Sequence, residues 1–229
     1  MTRQEQILQI IVESYIATAT PVSSGLVVEK YLSDVSSATV RNEMMDLEAQ
    51  GLIAQPHTSA GRIPTTAGYQ YYLEQLLPEI AIESAHREQL AQATSGAQAN
   101  ERVKNLAKAL AEIADCAVLV GFGPMDVYYT GISNLFRQPE FGDHTQVYSI
   151  SAVIDHLDEV MARVFTDVGH DIKVLVGDQN PFGAMCSVVL TKFDQPSHPG
   201  LIGILGPSRM NYAANIELVK LSQKLLQQS

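Results

Sequence analysis

The sequence predicts an α+β chain in three parts: a winged helix-turn-helix unit over residues 1–77, a helical linker over 78–114, and a mixed sheet flanked by helices over 115–229. Three observations carry this reading. Residues 35–65 run in the order helix, strand, turn-rich tip, strand, which is the order of a winged helix. Two further helical segments precede them, each closed by a stop or turn signal. From Ala117 onward helical periodicity gives way to β-forming runs, AVLVGF, VYYTGI, QVYSISAV, IKVLVG, SVVLTKF and LIGILG.

The first helix spans Gln4 to Ala17, with Ile7, Leu8, Ile11 and Tyr15 at helical spacing, and Thr20-Pro21 stops it. Ser23 or Ser24 caps a second helix that runs through Glu29-Lys30-Tyr31, and Leu32 to Val35 form the turn. The third helix runs from Ser37 to Gln50. Ser36 is its N-cap, and Gly51 stands where a left-handed residue closes a helix. Val40, Met44 and Leu47 make one buried stripe, while Ser37, Thr39, Arg41 and Asn42 lie on other faces of the N-terminal half. Leu52 to Gln55 is a short strand, Pro56 to Arg62 a tip, and Ile63-Pro64 the return. Tyr69, Tyr72, Leu73 and Leu76 then repeat at helical spacing, so a helix packs back on the unit before Pro78 ends it.

Residues 80–108 are rich in Ala, Gln and Glu, with a break at Thr94-Ser95-Gly96. They read as two helical pieces, whose Leu90, Leu106, Ala107 and Leu110 offer an apolar face to a second copy of the chain. Within the sheet region, helices are expected at 156–168 and 215–227.

The 229 residues carry a formal net charge of −10 and 46% hydrophobic content, which suits a buried core. A protein that coats nucleic acid or anionic membrane by bulk charge is excluded. Residues 1–77 hold four cations, Arg3, Lys30, Arg41 and Arg62, against eight acidic residues, so any DNA contact must be local. Cys116 and Cys186, with no signal peptide and no apolar run long enough to span a bilayer, point to a cytoplasmic protein with reduced thiols.

The third helix carries the recognition chemistry. Arg grips guanine through two bonds and Asn grips adenine, while Ser and Thr hydroxyls hold phosphate oxygens. The candidate DNA-binding residues are therefore Ser36, Ser37, Thr39, Arg41 and Asn42 on the helix, and His57, Thr58, Ser59 and Arg62 on the wing. Elsewhere the chemistry is plain. Gly121-Phe122-Gly123-Pro124 lacks the spacing and the Lys of a phosphate loop and reads as a turn. The six histidines never pair with Cys or Glu at ligand spacing, and neither a nucleophile elbow nor a Cys–His arrangement is legible. No metal, cofactor or enzymatic activity is expected. Gly206 to Tyr212 reads as a turn and cap ahead of the last helix, or as a ligand or interface site.

SSATVRNEM, LEAQGLI and above all PHTSAGRIPTTAGY resemble the N-terminal signature of the heat-inducible transcription repressor HrcA family. GISNLFRQPEF, VLVGDQNP with SVVL, and GLIGILGPSRMNY resemble its C-terminal half, which implies a GAF-like sensor fold for residues 115–229. The resemblance further implies a repressor of chaperone operons that binds an inverted-repeat operator in double-stranded DNA as a homodimer and depends on a GroEL-type chaperonin. Two departures stand out. Gly25 occupies a place where the family carries a basic residue, and the family's inserted dimerisation subdomain is missing between about 110 and 131. The alternative reading is a GAF-like small-molecule sensor or interaction module whose winged helix docks protein.

Overall fold

Thr2 starts the first helix. Its hydroxyl accepts the Glu5 N–H at 3.2 Å and the Glu5 carboxylate accepts the Thr2 N–H at 2.6 Å, so two otherwise unpaired donors are satisfied reciprocally. This computed structural model describes residues 1–58, 60–96, 98–142, 151, 153–194 and 199–227. They form two compact units, Met1–Pro78 and Glu79–Ser229.

In the first unit α1 (Arg3–Thr18), α2 (Ser24–Lys30) and α3 (Ser37–Ala49) pack through Ile7, Leu8, Ile11, Val27, Val40, Met44 and Leu47, all buried. Ser23 is the residue that caps α2, accepting the Leu26 N–H at 3.2 Å. Strands β1 (Ile53–Ala54) and β2 (Ile63–Pro64) pair antiparallel as the wing. Beyond β2, Val22 and Arg62 form an isolated antiparallel bridge, which ties the wing to the segment ahead of α2. Helix α4 (Thr66–Tyr71), capped by Thr65, continues as a π-helical turn over Tyr72–Leu76 where an unbroken α-helix was expected. The wider turn lets consecutive tyrosines both face α1: Tyr71 donates to Glu5 at 3.0 Å and Tyr72 to Glu13 at 3.4 Å.

The second unit begins with α5 (Ser84–Ala93) and α6 (Ala99–Ala114), separated at Gly96 with φ +72. Then come β3 (Ala117–Gly123), β4 (Asp126–Thr130), α7 (Ile132–Phe136), α8 (Leu157–Asp167), β5 (Lys173–Val176), β6 (Cys186–Phe193), β7 (Gly200–Pro207) and α9 (Tyr212–Gln227). The five strands lie in the order β4-β3-β7-β6-β5. This second unit is α+β, the class expected for residues 115–229. The expected mixed sheet is antiparallel at every pairing among the described strands, because hairpins or antiparallel returns join all neighbours.

One sheet face packs on α8 through Leu119, Val188, Leu190 and Leu205. Against the other elements of the sheet, α6 packs on β3 and α9 on β6 and β7. The 80–114 segment therefore belongs to the second unit. Leu90, Leu106, Ala107 and Leu110, expected to face a second chain, are all 0% exposed. Their partners come from later in the chain, so helical periodicity could not identify them.

Other expectations shift by smaller amounts. Gly121 to Gly123, expected as a turn, are instead the paired end of β3, with a register shift between Gly121 and Gly123, and only Pro124 of that run stands in the β3–β4 turn. The last helix starts at Tyr212 rather than Asn215, because the Asn211 side chain accepts the Ala214 N–H at 3.1 Å and caps the turn. Of the QVYSISAV run, Ser151 and Val153 are helical rather than extended, and 146–150 and 152 lie outside the described residues.

Candidate nucleic-acid interface

Ser36 sets the start of α3. Its hydroxyl accepts the Thr39 N–H at 3.1 Å, which caps the helix, and lies 2.8 Å from the Thr39 hydroxyl, which fixes both side chains. The Ser37 hydroxyl lies 3.1 Å from that of Ser24, joining the starts of α2 and α3. Arg41 and Asn42 are exposed one turn further on, and no hydrogen bond or ion pair to any described residue holds either.

Beside α3 the wing forms the other wall of a cleft of about 340 Å³, lined among others by Ser23, Ser24, Arg41, Gln55, Thr58 and Arg62. The tip is held by backbone and by Gln55. The Ala60 N–H donates to the His57 carbonyl at 2.9 Å, and Gln55 Nε2 donates to the carbonyls of Thr58 and Ala60, both at 3.0 Å. His57 and Thr58 are exposed on this tip, whereas Ser59 lies outside the described residues. In sequence Ser23 and Ser24 read only as candidate caps and Gln55 as a strand end, since their place beside Arg41 depends on contacts between α2, α3 and the wing.

Arg62 differs from the simple expectation of a wing residue reaching outward. Its Nη2 lies 2.8 Å, and its Nε 3.1 Å, from the Glu48 carboxylate on α3. Arg3 likewise binds Glu43 at 2.6 and 2.9 Å. Those bonds to Arg3 hold the Glu43 carboxyl below its ordinary value, against a smaller opposing effect of burial. Two of the unit's four cations are thus spent on α3's own carboxylates. Lys30 and Arg41 are the two that no described ion pair neutralises.

A family model described as the HrcA protein C-terminal domain matches residues 35–216. The chain belongs to the HrcA family. HrcA proteins are DNA-binding transcription repressors of the heat-shock response, which is not an enzyme class. The heat-inducible transcription repressor HrcA of Natranaerobius thermophilus is 26% identical over 322 aligned positions, covering 95% of this chain and 93% of the relative. That alignment is longer than this 229-residue HrcA chain, so the relative carries residues that this one lacks. The HrcA repressor of Symbiobacterium thermophilum is 54% identical over 86 residues, which make up 38% of this chain and 25% of the relative. A crystal structure described only as that of a hypothetical protein has the same fold, with TM-score 0.82 at 21% identity, covering 100% of this chain and 98% of the other.

Among the described residues of this HrcA chain no group of three His, Cys, Asp or Glu is placed to hold a metal ion, and no helix is long and apolar enough to cross a membrane. Cys116 and Cys186 are buried free thiols that burial pushes up to about 12. Gly206 and Pro207 end β7, and Ser208 to Asn211 form the turn and cap ahead of α9. Within it Arg209 binds Glu140, and donates to Gln138 at 2.8 Å, so two of the motifs that resemble the family lock together.

Proposed function

We propose that this HrcA chain represses heat-shock chaperone genes by binding an inverted-repeat operator as a homodimer. Helix α3 enters the major groove, Arg41 and Asn42 read base edges, and the Ser36 and Thr39 end of the helix lies against phosphate. The observation that carries this reading is the distribution of charge. Arg3 and Arg62 neutralise Glu43 and Glu48, and Arg41 is left exposed beside Asn42 on the open face of α3. In an acidic chain the N-terminal half of α3 thereby carries no unpaired carboxylate, because its one acidic residue, Glu43, is held by Arg3. His57, Thr58 and Ser59 on the wing tip contact backbone or minor groove, while Arg62 holds the wing in place from behind.

The working compartment is the cytoplasm, where a bacterial operator is accessible. A GroEL-type chaperonin is the further partner, a reading that rests on family membership alone. Footprinting on DNA upstream of the source genome's chaperone genes tests the proposal, and a protected inverted repeat is the expected result. Phosphate contacts release counterions, so operator affinity is expected to fall as salt rises, and a slope near zero would favour a winged helix that docks protein. Arg41→Ala is expected to cost about 1–3 kcal/mol on the operator and much less on random DNA. Equal losses on both, or no protection by the intact chain, would overturn the reading.

A further inference from the structure

The outermost ridge of α3 is apolar. Val40, Met44 and Leu47 face the core, and the side directly opposite them carries Ala38 and Met45, seven residues apart and both exposed. Met45 is 56% exposed, one of few large apolar side chains so open in the first unit. Arg41 and Asn42 flank this ridge, one on each side. Such a Met contributes nothing to the core and presents flexible, polarisable surface to whatever meets the helix.

We infer that Ala38 and Met45 meet the 5-methyl groups of thymines in the operator's major groove, an inference that rests on the proposed placement of α3. The thymine methyl is the apolar feature that the major groove displays, and small or flexible apolar side chains are its partners. Seven residues of helix rise about 10.5 Å. At roughly 3.4 Å per base pair, Ala38 and Met45 are set about three base pairs apart, with the Arg41 and Asn42 contacts between them. Each half-site then carries thymines at the two ends of the segment read by α3, and purine contacts inside it. A charged or phosphate-binding role is excluded for this ridge, because neither side chain has a donor.

The test uses the intact protein and the duplex it enriches from a randomised pool. Each thymine of the half-site is replaced singly by deoxyuridine, which removes one methyl and leaves every hydrogen bond. The wild-type protein is expected to lose about fourfold in affinity at one or two positions, the value of one buried methyl-sized group. Met45→Ala and Met45→Gln are expected to bind thymine and uracil duplexes equally at one of these positions, with Met45→Leu restoring the discrimination. Ala38→Gly does the same at the other. Met45 is exposed, so these variants keep the core intact.

Wild-type indifference to uracil at every position overturns the inference while leaving α3 as the reading helix. Discrimination that persists in both the Met45→Ala and the Ala38→Gly proteins overturns it as well. Enrichment of no sequence at all overturns the proposed function along with it.

Discussion

Val22 and Arg62 exchange two backbone hydrogen bonds, Val22 N–H to the Arg62 carbonyl at 2.9 Å and Arg62 N–H to the Val22 carbonyl at 2.8 Å. The wing is therefore anchored to the chain ahead of α2 by a third extended segment, and the cleft beside Arg41 owes its shape to that bridge. Gly61 permits the approach. A β-carbon there would sit 2.4 Å from the Val22 carbonyl carbon and oxygen, both backbone atoms that have nowhere to go. Gly61→Ala is expected to break the bridge and lower stability by about 1–3 kcal/mol. Urea unfolding of the intact chain measures it, and an unchanged midpoint for the first unit would show that the segment relaxes freely.

Arg62 and Glu48 make the second prediction. Were Arg62 a direct phosphate ligand, removing the Glu48 charge would free it and strengthen DNA binding. Held as it is, with 17% and 36% side-chain exposure, the pair acts by fixing the wing against α3. Glu48→Gln is thus expected to weaken operator binding in the same direction as Arg62→Ala, and the double variant no further than the worse single one. The stability coupling of a half-exposed pair is about 1 kcal/mol or less. Tighter binding by Glu48→Gln would return Arg62 to the DNA surface.

Acid sensitivity follows from Glu43. The Arg3 guanidinium lowers its carboxyl from the ordinary 4.5, so the folded state holds the charged form more tightly than the unfolded chain does. The stabilisation is complete above that ordinary value and is lost as pH falls through the lowered one. Arg3→Ala is expected to lower the melting temperature slightly at pH 7 and to have a smaller effect as the pH is brought well below 4.5. Equal effects at both pH values would show that Arg3 acts through packing instead of charge.

The winged unit is legible in sequence because its signals are local. Ser36, Gly51 and the Val40–Met44–Leu47 spacing define α3 within one window, and the Pro56 to Arg62 run announces a tip. What stays hidden depends on partners distant in the chain. Arg62 reads as an outward wing cation until Glu48, fourteen residues away, is seen across from it. Ala38 and Met45 carry no polar group and pass unnoticed among candidate readers. The π-helical turn at Tyr72 is set by Glu5 and Glu13 of α1, which no spacing within the tyrosine run encodes. The amphipathic faces of α5 and α6 are real, yet sequence alone does not distinguish a face meant for the chain's own sheet from one meant for a second copy.

The last prediction concerns that second copy. Leu90, Leu106, Ala107 and Leu110 are fully buried within the second unit, so a contact through them would require unfolding it. The remaining option is the sheet. Among the described strands β4 stands at one end, hydrogen-bonded only to β3, and Met125 and Tyr129 beside it are 69% and 45% exposed. An edge that no described strand pairs is a template for another strand, and two copies of β4 paired antiparallel about a two-fold axis satisfy both edges. Five residues are too few to hold a stable dimer alone, so neighbouring surface must add to the area. A charge on the edge opposes such pairing, and Tyr129→Lys places one on the edge strand of each copy. Sedimentation velocity at micromolar concentration is expected to show a dimer for the wild-type chain and a monomer for Tyr129→Lys, with circular dichroism unchanged. A wild-type monomer, even with operator DNA present, would remove the dimer from the proposal, and an intact dimer in the variant would move the interface away from β4.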